Sequence, residues 1–373
     1  MRARIVSIED ITPDMIVKWN QWAAPNGHLI SPYFRFEFAE VVSRARSDVR
    51  VVVLEQDDEL VGFFPHHHPQ GGVVRPIGAP MSDYQGVIAR DYTDLDPAEI
   101  VRSTGASACI FENWYCPQGG DPSARRGREG SVIVDLRAGA ESYFECQRAV
   151  FKDHFKKTAR RKRAAERDFG PVRVELGDAS GDRFEALLDW KQTQYRQTQK
   201  LNVLGIDWVR TVLDDLRRRE GQDFSGLTAS LWFGDTLAAV EFGLVAGEVY
   251  HSWFPAYDPK MSKYSPGLLL LHGLFEQAHT RDLARIDLGG GGGAHYKKYY
   301  SSYEVPLDHG RLLTGGLGAA KVRTWEIAET AAGIMPGKIA EIPGRLRRRW
   351  SQACAFEPQL FSRLGNMAAS ISL

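Results

Sequence analysis

The sequence predicts an α/β protein: two domains of mixed sheet built on one repeated plan, closed by a helical tail. Three observations carry this. A meander of three strand-like runs occurs twice, as VRVVVLEQDDELVGFFPHHHPQGGVVRPIG and as LTASLWFGDTLAAVEFGLVAGEVYHSWF, each preceded by a helical segment. Asp-Asp and Gly-Gly turns join the first copy, Gly-Asp and Ala-Gly-Glu turns the second, and short turns of this kind mark antiparallel pairing. After residue 311 the chain turns helical and rich in small residues, with no strand pattern. The repeat is too long for a solenoid, whose periods are roughly 20–50 residues, and 373 residues suit about two domains. The division read from the pattern is 1–145, 146–310 and a tail over 311–373.

Taken in order, the first domain opens on a strand (RIVSI) and a helix led by Thr12 and Pro13, followed by the first meander. QGGDPSARRGREG, near 118–130, reads as a loop because Gly, Pro and Arg dominate it. A strand (SVIVDL) precedes one basic helix over YFECQRAVFKDHFKKTARRKRAAERDFG, then a strand (VRVEL). A long amphipathic helix with Phe184, Leu187, Leu188 and Trp190 among its apolar positions leads into the second meander. Residues 248–300 read as strand, long loop, capped helix, strand, glycine run and short helix.

The capped helix is the most informative of these. Ser265 stands at the N-cap and Pro266 at the first helical position, where a missing N–H costs nothing. The Ser265 hydroxyl is expected to accept a backbone N–H. Leu268, Leu271, Phe275 and Ala278 form the expected buried face. The free N–H groups and the dipole of such a terminus make it a natural anion site, with Lys260 and Lys263 in the loop before it.

Composition narrows the classes. Lys plus Arg equals Asp plus Glu, so the formal charge is zero and any electrostatic site is a local patch. Cys109, Cys116, Cys146 and Cys354 show neither C-x-x-C nor zinc spacing, so reduced, mostly buried thiols and no metal are expected. The first residues lack an apolar signal core, and no run approaches the roughly 18 residues of a membrane span, so the expected location is cytoplasmic. GxxxxGK[ST], HExxH and GxSxG are all absent, which disfavours P-loop, zincin and lipase-type chemistry.

Five features carry further readings. Residues 289–294, GGGGGA, formally match a dinucleotide fingerprint with Asp308 about 20 residues on. Too little chain follows to complete a doubly wound sheet, so a permissive loop or a ligand contact is expected instead. His66, His67 and His68 alternate across a strand and so cannot all face one metal; they read as a solvated strand end. Lys152 to Arg167 is either a solvated helix face or a surface for an anionic partner, with few aromatics for stacking RNA. RLRRRW in the tail reads as an exposed helix end that can touch an acidic surface. His251, in YHSWF, sits on the strand that leads into the loop.

Within residues 250–300 the pattern H-S-W-x-P-A-Y-D, Y-S-P-G-L-L-L, I-D-L-G-x-G and Y-K resembles the GNAT-type acyltransferases of the CelD group, associated with cellulose and other exopolysaccharide biosynthesis. These are similar in architecture to the FemAB aminoacyltransferases, which carry two GNAT-like domains. G-A-P-M-S-D-Y-Q-G-V at 78–87 and the basic K-K-T-A-R-R-K-R run extend the likeness over most of residues 1–310. The family has an Arg within the glycine turn and a Glu shortly before Tyr-Lys, where this chain has glycines, Ala294 and His295.

The resemblance implies tandem GNAT-like domains and transfer of an acyl group, acetyl foremost, from acyl-CoA to a hydroxyl or amine of a sugar or polysaccharide precursor. The alternatives are aminoacyl transfer from aminoacyl-tRNA and a non-catalytic scaffold. The implied partners are a small-molecule or glycan acceptor, a lipid-linked saccharide among them, with nucleic acid only as tRNA in the aminoacyl reading. Location is cytoplasmic or peripheral to the inner membrane. The implied donor site comprises Phe254, Tyr257, Lys263, Tyr264, Ser265 and Gly267. The implied acceptor site comprises Trp253, Asp258, Gly289, Tyr296 and Lys297. His251 is the first candidate for general base, because an imidazole titrates near neutral pH. Asp287 is the second, as base or as the group orienting the acceptor.

Overall fold

The computed structural model describes residues 1–24, 29–198, 201–219, 221–290, 295–332, 344, 350 and 353–356. The strands are β1 (Arg2–Val6), β2 (Val49–Gln56), β3 (Glu59–Gln70), β4 (Val73–Pro76), β5 (Ile88–Ala89), β6 (Ala108–Trp114), β7 (Arg125–Asp135), β8 (Val172–Leu176), β9 (Phe224–Phe233), β10 (Thr236–Ala246), β11 (Val249–Tyr257), β12 (Arg285–Gly290) and β13 (Tyr303–Leu313). The α-helices are α1 (Pro13–Trp22), α2 (Phe36–Ala45), α3 (Pro97–Ser103), α4 (Ala140–Val150), α5 (Lys152–Phe169), α6 (Asp182–Gln197), α7 (Asp207–Arg218), α8 (Pro266–Gln277) and α9 (Gly316–Ala332).

The chain forms two units, each discontinuous in sequence. One comprises Met1–Trp22, Val42–Arg128 and Leu307–Leu373, the other Ala23–Val41 and Glu129–Pro306. The chain leaves the first unit after Trp22 and returns within α2, then leaves it again within β7 and returns within β13.

In the first unit the strands run in the order β1-β2-β3-β4-β6-β13. All pair antiparallel except β4 with β6. The meander read from the sequence is β2-β3-β4. Its core includes Val52, Leu54, Phe64, Val74, Ile100 and Cys109. His66 and His67 correct the solvated reading, for both are buried on β3. His67 is held by Asp48 at 3.1 Å and by the Gly78 N–H at 3.0 Å. A histidine whose two ring nitrogens both find partners is compatible with burial.

The C-terminal segment is no appendage to this unit. Leu312 and Leu313 pair with Cys109 and Ala108, and the Ala319 N–H donates to Ser107. Val322 packs on Val73 and Ala108. The RLRRRW run lies, apart from Trp350, outside the described residues.

In the second unit the order is β7-β12-β11-β10-β9-β8, antiparallel except for β11 with β12. Here β9-β10-β11 is the second meander. On one side of the sheet α8 packs with Leu269, Leu270, Leu274 and Phe275 buried. The close approach of α8 to β8 needs Gly273, where a Cβ would run into Val174.

Two local readings change. The basic helix is two, α4 and α5, broken at Phe151 (φ −115°, ψ 44°). The 118–130 loop ends early, because β7 starts at Arg125. None of the four cysteines is in a disulfide; Cys109 and Cys354 are buried, whereas Cys146 is exposed. Among the described residues no helix is long and apolar enough to cross a membrane.

Candidate functional site

The candidate site grows from the edge where β11 and β12 part. Their parallel register holds for three pairs only, ending at His251 opposite Asp287. Beyond it β11 runs on for six residues to Tyr257, paired with β10 alone. A bulge at Phe242/Gly243 lets Ser252 face Gly243 and Phe254 face Phe242, leaving Trp253 as the extra residue. Bulges bend a strand and re-aim its side chains. The Trp253 ring meets Tyr33 edge-on at 5.5 Å, and His251 meets the same ring at 5.0 Å.

The gap opens into a cleft of about 580 Å³. Its walls are the end of β11 (Pro255, Ala256, Tyr257), the start of α8 (Ser265 to Leu268), and Trp190 and Gln194 of α6. Glu241 and Tyr296 also line it. A 3-10 turn over Pro259–Tyr264 joins β11 to α8, and Asp258 caps it by accepting the Lys260 N–H at 2.9 Å.

Ser265 departs from expectation. It is the C-cap of that turn as well as the N-cap of α8, so its backbone takes a left-handed conformation (φ 54°, ψ 58°) and its hydroxyl makes no capping bond. Its carbonyl instead accepts the Leu268 and Leu269 N–H groups, at 3.0 and 3.3 Å. Gly267 fronts open space, since a Cβ there would meet nothing within 4 Å. A helix start with its first turn open to a cleft presents N–H groups that an anion can meet.

Next to the cleft lies a buried polar cluster. His251 Nδ1 is 3.3 Å from Asp287 Oδ2, both side chains fully buried. Asp287 Oδ1 accepts the Ser131 hydroxyl at 2.6 Å and the Gly289 N–H at 2.8 Å. Lys297 Nζ donates to the carbonyls of Gly289 (3.3 Å) and Gly290 (2.7 Å), which ties the short 297–299 turn to the end of β12.

Glu241 belongs to both cluster and cleft. It is 2% exposed, accepts the Tyr250 hydroxyl at 3.2 Å, and is hydrogen-bonded by Ser252. Burial pushes its carboxyl above the usual glutamate value, and the Ser252 and Tyr250 bonds with the nearby Lys297 and His251 offset part of that rise. A carboxyl raised this way, at the wall of a cleft, is placed to exchange a proton with what the cleft holds.

The residues picked from the sequence therefore fall into groups. Tyr257, Ser265, Gly267 and Tyr296 line the cleft. His251, Asp287, Gly289 and Lys297 make the buried cluster. Trp253 packs on Tyr33, Phe254 is buried on β11, and Asp258 serves as a cap. Lys263 and Tyr264 are drawn together elsewhere: the Tyr264 hydroxyl donates to Asp168 at 2.6 Å, and Lys263 lies over the Tyr264 ring. Of the glycine run, Gly291 to Gly293 and Ala294 lie outside the described residues. Glu241, Tyr250, Ser131 and Trp190 were not picked. Glu241 had a signal, an acid in the middle of the apolar run AAVEFGLV, where an ionised group is expensive to bury.

Among the described residues no three His, Cys, Asp or Glu side chains are grouped to hold a metal ion. The set offers a buried acid–base group at a cleft, a helix start for an anion, and a strand edge left unpaired by its neighbour.

Residues 153–298 match the acetyltransferase (GNAT) domain family. No curated protein matches the chain. Among solved structures, FemX is similar in fold over 87% of this chain and 99% of its own, at 12% identity and a TM-score of 0.52. A tandem GNAT protein from the clavulanic acid biosynthesis pathway aligns over 84% of this chain and 99% of its own, at 11% identity and a TM-score of 0.47. The mixed α/β sheets read from the sequence are the fold this chain has, and the GNAT match lies within residues 153–298.

Proposed function

We propose that the chain transfers an acyl group, acetyl foremost, from acyl-CoA to a hydroxyl or amine of a sugar or polysaccharide precursor, and that the β11–α8 cleft holds the donor. The observation that supports this most is the placement of Glu241. A buried carboxyl with a raised pKa lines the cleft that begins where β11 leaves β12, inside the segment that matches the acetyltransferase family.

In this reading the donor's phosphates lie at the open start of α8 around Gly267, where the first-turn N–H groups favour anions. The thioester runs along the unpaired edge of Pro255 to Tyr257. A backbone N–H near Phe254 steadies the charge that develops on its carbonyl oxygen. Glu241 takes the proton from the attacking hydroxyl or amine as the new bond to the acyl carbon forms; the thiolate of CoA then leaves and is protonated. His251 and Asp287 act through Glu241, as a buried pair that sets its charge and the position of β12. Tyr296 and Lys297, on the segment that closes the cleft, are the proposed acceptor contacts.

Two measurements test this. Acetyl-CoA should raise the melting temperature of the protein, as any ligand of the native state must. Thiol release in the presence of acceptor should fall about 10²–10⁴-fold in Glu241→Gln, the range lost with a general base, while the acetyl-CoA shift stays. His251→Ala and Asp287→Asn should fall less. Undiminished turnover in all three variants would sink the assignment. A melting shift with no acyl-CoA would favour the aminoacyl-tRNA reading or a scaffold.

A further inference from the structure

Helix α5 carries a feature that the cleft does not use. Its inner face is spent on the core: Phe155, Thr158 and Ala165 are buried. On the opposite face Lys152, Lys156, Arg160, Arg163 and Arg167 are all exposed. Their spacing of four, four, three and four residues places them in one row along the helix. At about 1.5 Å per residue the row is roughly 22 Å long.

Neighbours of like charge at these spacings disfavour a helix. The row keeps four such contacts in succession, and Lys157 flanks it. Among the described residues the one ion pair recorded for the five cations is Arg167 with Asp168, and Asp168 is shared with Tyr264 and Lys263. The whole chain has no net charge, so this is a concentrated local patch.

Val150, at the end of α4, is 72% exposed, whereas Phe169, at the end of α5, turns to the core side, its ring 5.9 Å from Phe233 and 5.6 Å from Tyr264. No aromatic ring lies exposed along the row itself, where single-stranded RNA would stack its bases.

We propose that this face of α5 docks on an anionic lipid surface. Five cations in a straight row face a plane of phosphates. The apolar face of the helix is already buried in the core, so attachment is electrostatic and reversible. The inference does not rest on the acyltransferase reading. It would place the cleft's chemistry beside membrane-bound acceptors if both hold, and each can fail alone.

The test is co-sedimentation of the full chain with vesicles of phosphatidylcholine alone or with one third phosphatidylglycerol, at low and high salt. The protein should bind only the anionic vesicles, and release as salt shortens the screening length. Each cation near such a surface is worth about fivefold in affinity. The variant Lys156→Gln/Arg160→Gln/Arg163→Gln should therefore bind on the order of 100-fold more weakly, with an unchanged melting temperature. Arg160→Lys/Arg163→Lys should bind like the parent. The proposal is overturned if anionic vesicles are not bound at low salt, if the triple variant binds as well as the parent, or if transfer RNA strips the protein from the vesicles by binding it more tightly.

Discussion

At the residue scale the chain buries titratable groups in both units, and burial ties their stability contributions to pH. Tyr300 is fully buried, and its hydroxyl lies 2.9 Å from His154 Nε2 and 2.8 Å from His272 Nε2. One hydroxyl carries one proton, so one imidazole accepts it and the other donates back; burial favours the neutral form of both. Burial lowers His272 to about 3, and in the first unit it lowers His66 to about 4. A folded state that refuses a proton the unfolded chain takes loses stability as pH falls below 6.5. Urea unfolding should show a loss of about 1.4 kcal/mol per pH unit from each of these two imidazoles between pH 6.5 and 4.5. A flat profile there would show that they protonate freely in the fold. Glu241 has the opposite sense. Its folded pKa is raised, so its stabilising contribution is present below pH 4.5 and is lost as pH rises through the folded value. Glu241→Gln should therefore melt higher than the parent at pH 7. In the parent, the acid limb of kcat/KM should lie above the ordinary glutamate value.

At the scale of elements the bulge between β10 and β11 decides what reaches the cleft. A side chain at Gly243 would overlap the Tyr250 ring and the His251 carbonyl, so glycine there lets Tyr250 lie against Glu241. Gly243→Ala should cost ~1–3 kcal/mol of stability, as overpacking does. It should also reduce turnover by moving Tyr250, with the acetyl-CoA melting shift largely kept. Parent-like turnover would mean that Tyr250 has no part in setting Glu241. The start of α8 makes a related point. Ser265 and Pro266 marked the helix boundary correctly, yet the capping bond expected from them is absent. A second short helix ends on the same residue and turns its backbone left-handed. Boundary residues are read locally, whereas a shared cap depends on what precedes it.

At the scale of the whole chain the last described helices belong to the first unit. Arg311 pairs with Glu326 at 2.6 Å, and the Arg46 guanidinium, itself held by Asp48, donates to the Ala355 carbonyl at 2.6 Å. At Gly318 the α9 backbone meets the turn at Gly72 so closely that no side chain fits. Ending the chain after Thr314 should lower the stability of the first unit by on the order of 2–4 kcal/mol, from the lost burial of Ala319 and Val322 and the partners left behind. An unchanged unfolding midpoint would restore the reading of this segment as an appendage.

Much of the fold was legible because its signals are local. Alternating apolar residues and two- or three-residue turns specify each meander without reference to the rest of the chain. Pro at the first position and the leucine run specify α8 in the same way. The His251–Asp287 pair was legible as two candidates but not as neighbours, since residues 36 apart meet only through the parallel register of β11 and β12. Glu241 was passed over because an acid within an apolar run marks a buried carboxyl and not what that carboxyl faces. Only the parting of β11 from β12 and the bulge beside it open a cleft at that carboxylate. The buried histidines were misread for the same reason: whether a strand end is solvated depends on what packs over it. Sequence by itself determined the two meanders and the start of α8, through short-range patterning. Tertiary structure alone decided which polar groups share one cluster, because burial, register and strand divergence are properties of chains brought together from far apart.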